Sequence, residues 1–123
     1  MGKMQRTKGA AFERAVATAL AAIWPRACRG LAQCRNAREQ ADVERTPYWV
    51  ECKVGAKPNV LGAYDQAKAA TDGRPVLVVT KVDRHEPLVT MSLAQFVALS
   101  SKATERAQGD DAGMVKSLDR DPT

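Results

Sequence analysis

The stretch "PVLVVTKV" at residues 75–82 constrains this chain more than any other. A short, valine-rich, near-continuous apolar run suits a strand covered on both faces. Before it lies a helical pattern at Leu61–Thr71, with Asn59 placed to cap its start and Gly73 beyond its end. Before that helix, Tyr48–Val54 alternates in the manner of a strand. Strand, helix and strand make a βαβ unit, whose right-handed crossover sets its two strands parallel.

The remaining elements build around that unit. Phe12, Val16, Ala19, Leu20 and Ile23 recur at helical spacing, which predicts an amphipathic helix over Thr7–Trp24 that Pro25 stops. Residues 27–35 alternate and read as a first strand with a basic face. Ala41–Glu44 reads as a second strand, pairing with the next across the "RTP" turn. Leu88–Met91 is a further short strand, and "SLAQ" opens a short helix at 93–99 with a capping box. The expected class is α/β, in the order α-β-β-β-α-β-β-α, with a mixed central sheet flanked by helices. Residues 1–99 form the expected domain, and 100–123 a polar tail, a frayed helix running into disorder.

Charge and cysteine content narrow the setting. Residues 1–38 carry eight basic side chains against Glu13 alone, while the rest of the 123-residue chain carries eleven basic and thirteen acidic groups. A basic front half fits a polyanionic partner such as DNA, and equally fits a solvated face. Cys28, Cys34 and Cys52 include no CxxC pair and leave one thiol over under any pairing, which favours an intracellular, cytoplasmic location. No run is long enough to span a membrane, so no membrane partner is expected.

The chemistry concentrates in "ADVERTPYWVECKVG", residues 41–55. Strand alternation puts Trp49, Glu51 and Lys53 on one face and Tyr48, Val50 and Cys52 on the other. If Ala41 and Val43 share a face, Asp42 and Glu44 point the opposite way, and Asp42 can approach Glu51. Two carboxylates about 4 Å apart repel by roughly 4 kcal/mol at an effective dielectric near 20, so a cation or a proton belongs between them. A hard divalent ion takes one or two carboxylates together with water and substrate phosphate, which suits phosphodiester hydrolysis. A lysine beside it can orient the attacking water and offset charge building on phosphorus. An acid followed by acidic-x-Lys is common by chance, so the stretch identifies nothing alone.

Its flanks do more. "KGAAFERAVATAL", "ADVE", "ECK", "AYDQAKAA" and "RPVLVVTKVDR", in that order from Lys8 to Leu99, resemble the PD-(D/E)XK nuclease superfamily and its Holliday-junction-resolvase-like branch. The resemblance implies a restriction-endonuclease-like αβββαβ core and a Mg²⁺-dependent DNA endonuclease selective for branched DNA, working as a homodimer. Mn²⁺ can substitute for the metal. It implies Asp42, Glu51 and the main-chain carbonyl of Cys52 as metal ligands, Lys53 on the attacking water, and Glu13 and Gln66 beside the site. Lys3, Arg6, Lys8, Arg29, Arg35 and Arg38 would contact DNA. Ala41 stands where the family has proline, and Glu44 is an extra acid that either competes for the metal or is solvated. Two alternatives stay open: a restriction or repair nuclease of another specificity, and a non-catalytic nucleic-acid-binding module on the same fold. Gln66 divides evenly between site and helix surface, and Trp49 between stacking on a base and covering the sheet.

Overall fold

The structure is a computed structural model that describes residues 2–30 and 40–110, with side chains described over 7–30 and 40–108. The chain divides into two compact units, Met1–Met91 and Ser92–Thr123. The division falls ahead of the last helix, whereas composition changes only at Ser100.

The first unit runs α1 (Gly2–Leu20), β1 (Cys28–Arg29), β2 (Val43–Glu44), β3 (Trp49–Gly55), α2 (Val60–Ala70), β4 (Val76–Val82) and β5 (Leu88–Thr90). The five strands make one mixed sheet in chain order. The central pair β3 and β4 is parallel, with Glu51 opposite Val78 and Lys53 opposite Thr80. The other three pairings are antiparallel. Helix α2 supplies the crossover that a parallel pair requires. Asn59 caps it, accepting 2.9 Å from the Gly62 N–H.

Both faces of the centre are covered, as the valine run predicts. On one face Phe12, Val16 and Ala17 of α1 pack with Val43, Val50, Cys52, Leu77 and Val79. On the other, Ala63 and Ala67 of α2 pack with Ala41, Trp49, Val76 and Val78. Val43, Val50 and Val78 are fully buried, each worth about 1.5–3 kcal/mol of transfer free energy.

Three boundaries differ from the sequence reading. Helix α1 starts at Gly2 and its regular part ends at Leu20, where the chain tightens through Ala22→Ala19 and Ile23→Leu20 bonds of 3.2 and 2.9 Å. Ile23 is consequently 63% exposed, and Ala17 takes the core position that the pattern had assigned to Ala19. Strand β2 is only Val43–Glu44, because the backbone bends at Asp42. Residues 31–39, the rest of the expected first strand, lie outside the described residues.

In the second unit, α3 extends over Leu93–Asp110, well beyond the expected 93–99. Ser92 accepts 3.0 Å from the Gln95 N–H, the first half of the capping box. "SSKATERAQ" continues the helix through residues of fair helix propensity, without an apolar period to signal it. No helix among the described residues is long and apolar enough to cross a membrane.

Candidate active site

The bend at Asp42 organises the site. Val43 pairs with Val50 on the α1 face, while Ala41 packs with Trp49 on the α2 face. Ala41 and Val43 therefore do not share a face, contrary to the alternation expected of a regular strand. Period-2 alternation holds only for continuous β structure, and a two-residue strand ends before it can propagate. The carboxylate of Asp42 instead reaches along the open edge of β3.

Three hydrogen bonds to main-chain groups hold it there. The Asp42 N–H donates to the Val50 carbonyl and its own carbonyl accepts from the Gly30 N–H, both at 2.8 Å. Its Oδ2 accepts from the Cys52 N–H, also at 2.8 Å. The N–H and C=O of one strand residue point to the same edge, so the Cys52 carbonyl faces the gap that Asp42 occupies. Gly30 makes this approach possible: a Cβ there would strike the main-chain carbonyl of Ala41.

Asp42, Glu51, Glu13 and Lys53 form one electrostatic cluster. Burial pushes the Asp42 carboxyl up to about 6, with Glu13 adding to the rise and the Cys52 N–H, Lys53 and Arg29 opposing it. Burial likewise pushes Glu51 up to about 7, reinforced by the Asp42 charge and opposed chiefly by Lys53. The indole of Trp49 lies close enough to Glu51 to favour its charged form. Its buried Nε1 nevertheless falls outside hydrogen-bond geometry with any partner among the described residues. Burial pushes the Cys52 thiol up, and its side chain packs in the core on the α1 face, away from the Glu51 face.

The other expected residues are placed less uniformly. Glu13 accepts 2.8 Å from Arg29 Nε, a half-buried ion pair at the margin of the cluster. Arg29 is thus engaged by a carboxylate. Lys8 is paired with Asp83 at 2.9 Å. Gln66 is exposed on α2, with no hydrogen bond or ion pair among the described residues that draws it to Asp42 or Glu51. Arg35 and Arg38 lie outside the described residues, as do the side chains of Lys3 and Arg6.

Glu44 takes neither role expected of it. Its Oε1 pairs with Arg74 Nη2 at 3.1 Å and its Oε2 accepts 3.0 Å from the Ala41 N–H. Arg74 also donates to the Thr46 and Tyr48 carbonyls, pairs with Asp72 at 2.9 Å, and lies 5.4 Å from the centre of the Trp49 ring. It ties the 44–48 turn to the loop before β4, although no motif marks it. Gly30 had a signal: a glycine inside an alternating run marks close backbone approach.

Among the described residues, no three His, Cys, Asp or Glu side chains are grouped closely enough to hold a metal ion. The available donors are two carboxylates and one main-chain carbonyl. That set fits a hard divalent ion that keeps several waters, and does not fit a zinc-type site closed by side chains. No family model, curated protein or solved structure matches the chain.

Proposed function

We propose that the chain is a Mg²⁺-dependent DNA endonuclease with a PD-(D/E)XK-type, restriction-endonuclease-like core, selective for branched DNA and active as an intracellular homodimer. The bend at Asp42 is the observation that carries the reading. It places a carboxylate beside the Cys52 main chain, within electrostatic reach of Glu51 and Lys53 on the neighbouring strand. Two desolvated carboxylates without a cation between them are expensive to keep charged, and their raised pKa values are consistent with a site built for one.

Asp42, Glu51 and the Cys52 carbonyl would hold the ion, which when bound would polarise a phosphoryl oxygen and acidify a water. Lys53 supplies a fixed positive charge next to the carboxylates, suited to orienting the attacking water and offsetting charge on the phosphorus. Glu13 adds negative charge at the margin, and Arg29 orients it through their ion pair.

A labelled four-way junction, a duplex and a single strand, each incubated with Mg²⁺, Mn²⁺ or EDTA, test this reading with wild type and Asp42→Ala. Wild type should cut the junction with metal, and Asp42→Ala should not. Equal cutting of all three substrates removes the branch selectivity and leaves a nuclease of another specificity. The Glu13–Arg29 pair favours a second reading, a binding module, because it occupies the acid that a working site would use. Binding without cleavage in any metal selects that module.

A further inference from the structure

Beside the carboxylates, on the α1 face, lies a cavity of about 420 Å³ between α1 and the end of β3. Cys52 and Lys53 border both the cavity and the acidic cluster, and Phe12 at its wall is the neighbour of Glu13. Helices are about 10–12 Å across, so neither a helix nor a duplex enters a space near the small end of ligand pockets. A single planar ring with its sugar does.

The lining matches such an occupant. Phe12 and Val54 give apolar walls, and Gly9 and Gly55 line the space without side chains. Apart from its own local chain, a Cβ on either glycine would meet nothing within 4 Å, so open space adjoins both. At the rim, Lys8 donates to Asp83 at 2.9 Å, with side chains 48% and 47% exposed. An ion pair so exposed is weak and opens at little cost. Once open, it offers an ammonium donor and a carboxylate acceptor side by side, the complement of a nucleobase edge that carries a carbonyl next to an amino or imino N–H.

We infer that this cavity takes one unpaired nucleobase of a DNA strand whose adjoining phosphate lies at the Asp42–Glu51 site, an inference that rests on the nuclease reading. Extruding a paired base costs stacking and pairing energy, and an already unpaired base avoids most of that cost. The pocket therefore supplies a physical source of selectivity for branched or bulged DNA over regular duplex.

The test uses full-length protein in EDTA, so that no strand is cut. The probes are a duplex with one bulged 2-aminopurine and the same duplex with that base paired. Wild type should bind the bulged duplex on the order of tenfold tighter and change its 2-aminopurine emission on binding. Gly9→Leu adds a large side chain at the cavity lining from a helix interior, where glycine is itself unfavourable, so α1 is retained. It should reduce the preference to about twofold while leaving affinity for the paired duplex unchanged. Asp83→Ala on the exposed rim removes the acceptor, should lower the preference too, and decides the matter if Gly9→Leu does not fold. Equal affinity of wild type for both duplexes, or a preference that both folded variants keep, overturns the inference. Discrimination without any metal-dependent cleavage elsewhere would sink the nuclease and leave the pocket standing. Cleavage that is blind to unpaired bases does the reverse.

Discussion

The Cys52 N–H donates to Asp42 Oδ2 at 2.8 Å, so a main-chain group of β3 positions the carboxylate that precedes it. An asparagine at 42 can present an oxygen to the same donor, and an alanine cannot. Losing the acceptor for a part-buried N–H costs about 1–3 kcal/mol. Asp42→Asn should therefore unfold in urea at pH 7.5 at least as late as wild type, and Asp42→Ala clearly earlier than Asp42→Asn. Neither should cut DNA. An Asp42→Asn protein less stable than Asp42→Ala contradicts the positioning.

The carboxylates also set a pH dependence. Their folded pKa values, about 6 for Asp42 and about 7 for Glu51, lie above the ordinary carboxylate range near 4. Between those limits the folded state binds more protons than the unfolded state, so stability falls as pH rises from about 4 to 7. Melting temperature in EDTA should drop from pH 5 to 7.5, and drop less in Glu51→Gln. If the proposed ion binds the folded site, Mg²⁺ at pH 7.5 should restore part of the loss. A melting curve flat across this range in EDTA tells against the buried, charge-coupled pair.

Arg74 predicts a purely structural effect. Its removal takes the cation from Glu44, which keeps the Ala41 N–H, and takes a donor from the Thr46 and Tyr48 carbonyls, of which Tyr48 keeps the Thr46 hydroxyl. Arg74→Ala should cost about 1–3 kcal/mol in urea unfolding. Arg74→Lys should recover little of it, since one ammonium cannot span the partners that a planar guanidinium reaches. Full rescue by lysine would show that charge alone holds the turn.

Gly30 links fold and site. An added methyl collides with the Ala41 carbonyl, one residue from Asp42. Gly30→Ala should cost about 1–3 kcal/mol through forced backbone movement, and cleavage should fall further than stability alone explains. Unchanged activity in a folded Gly30→Ala protein would show that the Asp42 backbone tolerates displacement.

Much of the architecture is legible from local pattern. The valine run, the caps at Asn59 and Ser92 and the phase of Trp49–Gly55 each encode their element within a few residues. The bend at Asp42 is not legible, because alternation presumes a continuous strand and nothing in "ADVE" announces where regularity stops. Arg74 is equally hidden: it meets Glu44 thirty positions away, and only the folded loop brings them together. The candidate site lies between these cases. Glu51 and Lys53 follow from strand phase, Asp42 only from an alternation that its bend breaks, and Glu13 only from the family resemblance. Gln66 on an exposed helix turn gains no hydrogen bond or ion pair among the described residues.

Because main-chain groups of Gly30, Val50 and Cys52 set the Asp42 carboxylate, neighbouring side chains hardly dictate it. Side-chain substitutions that leave the main chain in place, unlike one at Gly30, need not move it. An insertion between Glu44 and Val50 changes the spacing on which the Asp42–Val50 and Asp42–Cys52 bonds depend. What descent must preserve is spacing more than residue identity. Distant kin of this chain are better sought by the ungapped interval from Asp42 to Glu51 than by overall likeness.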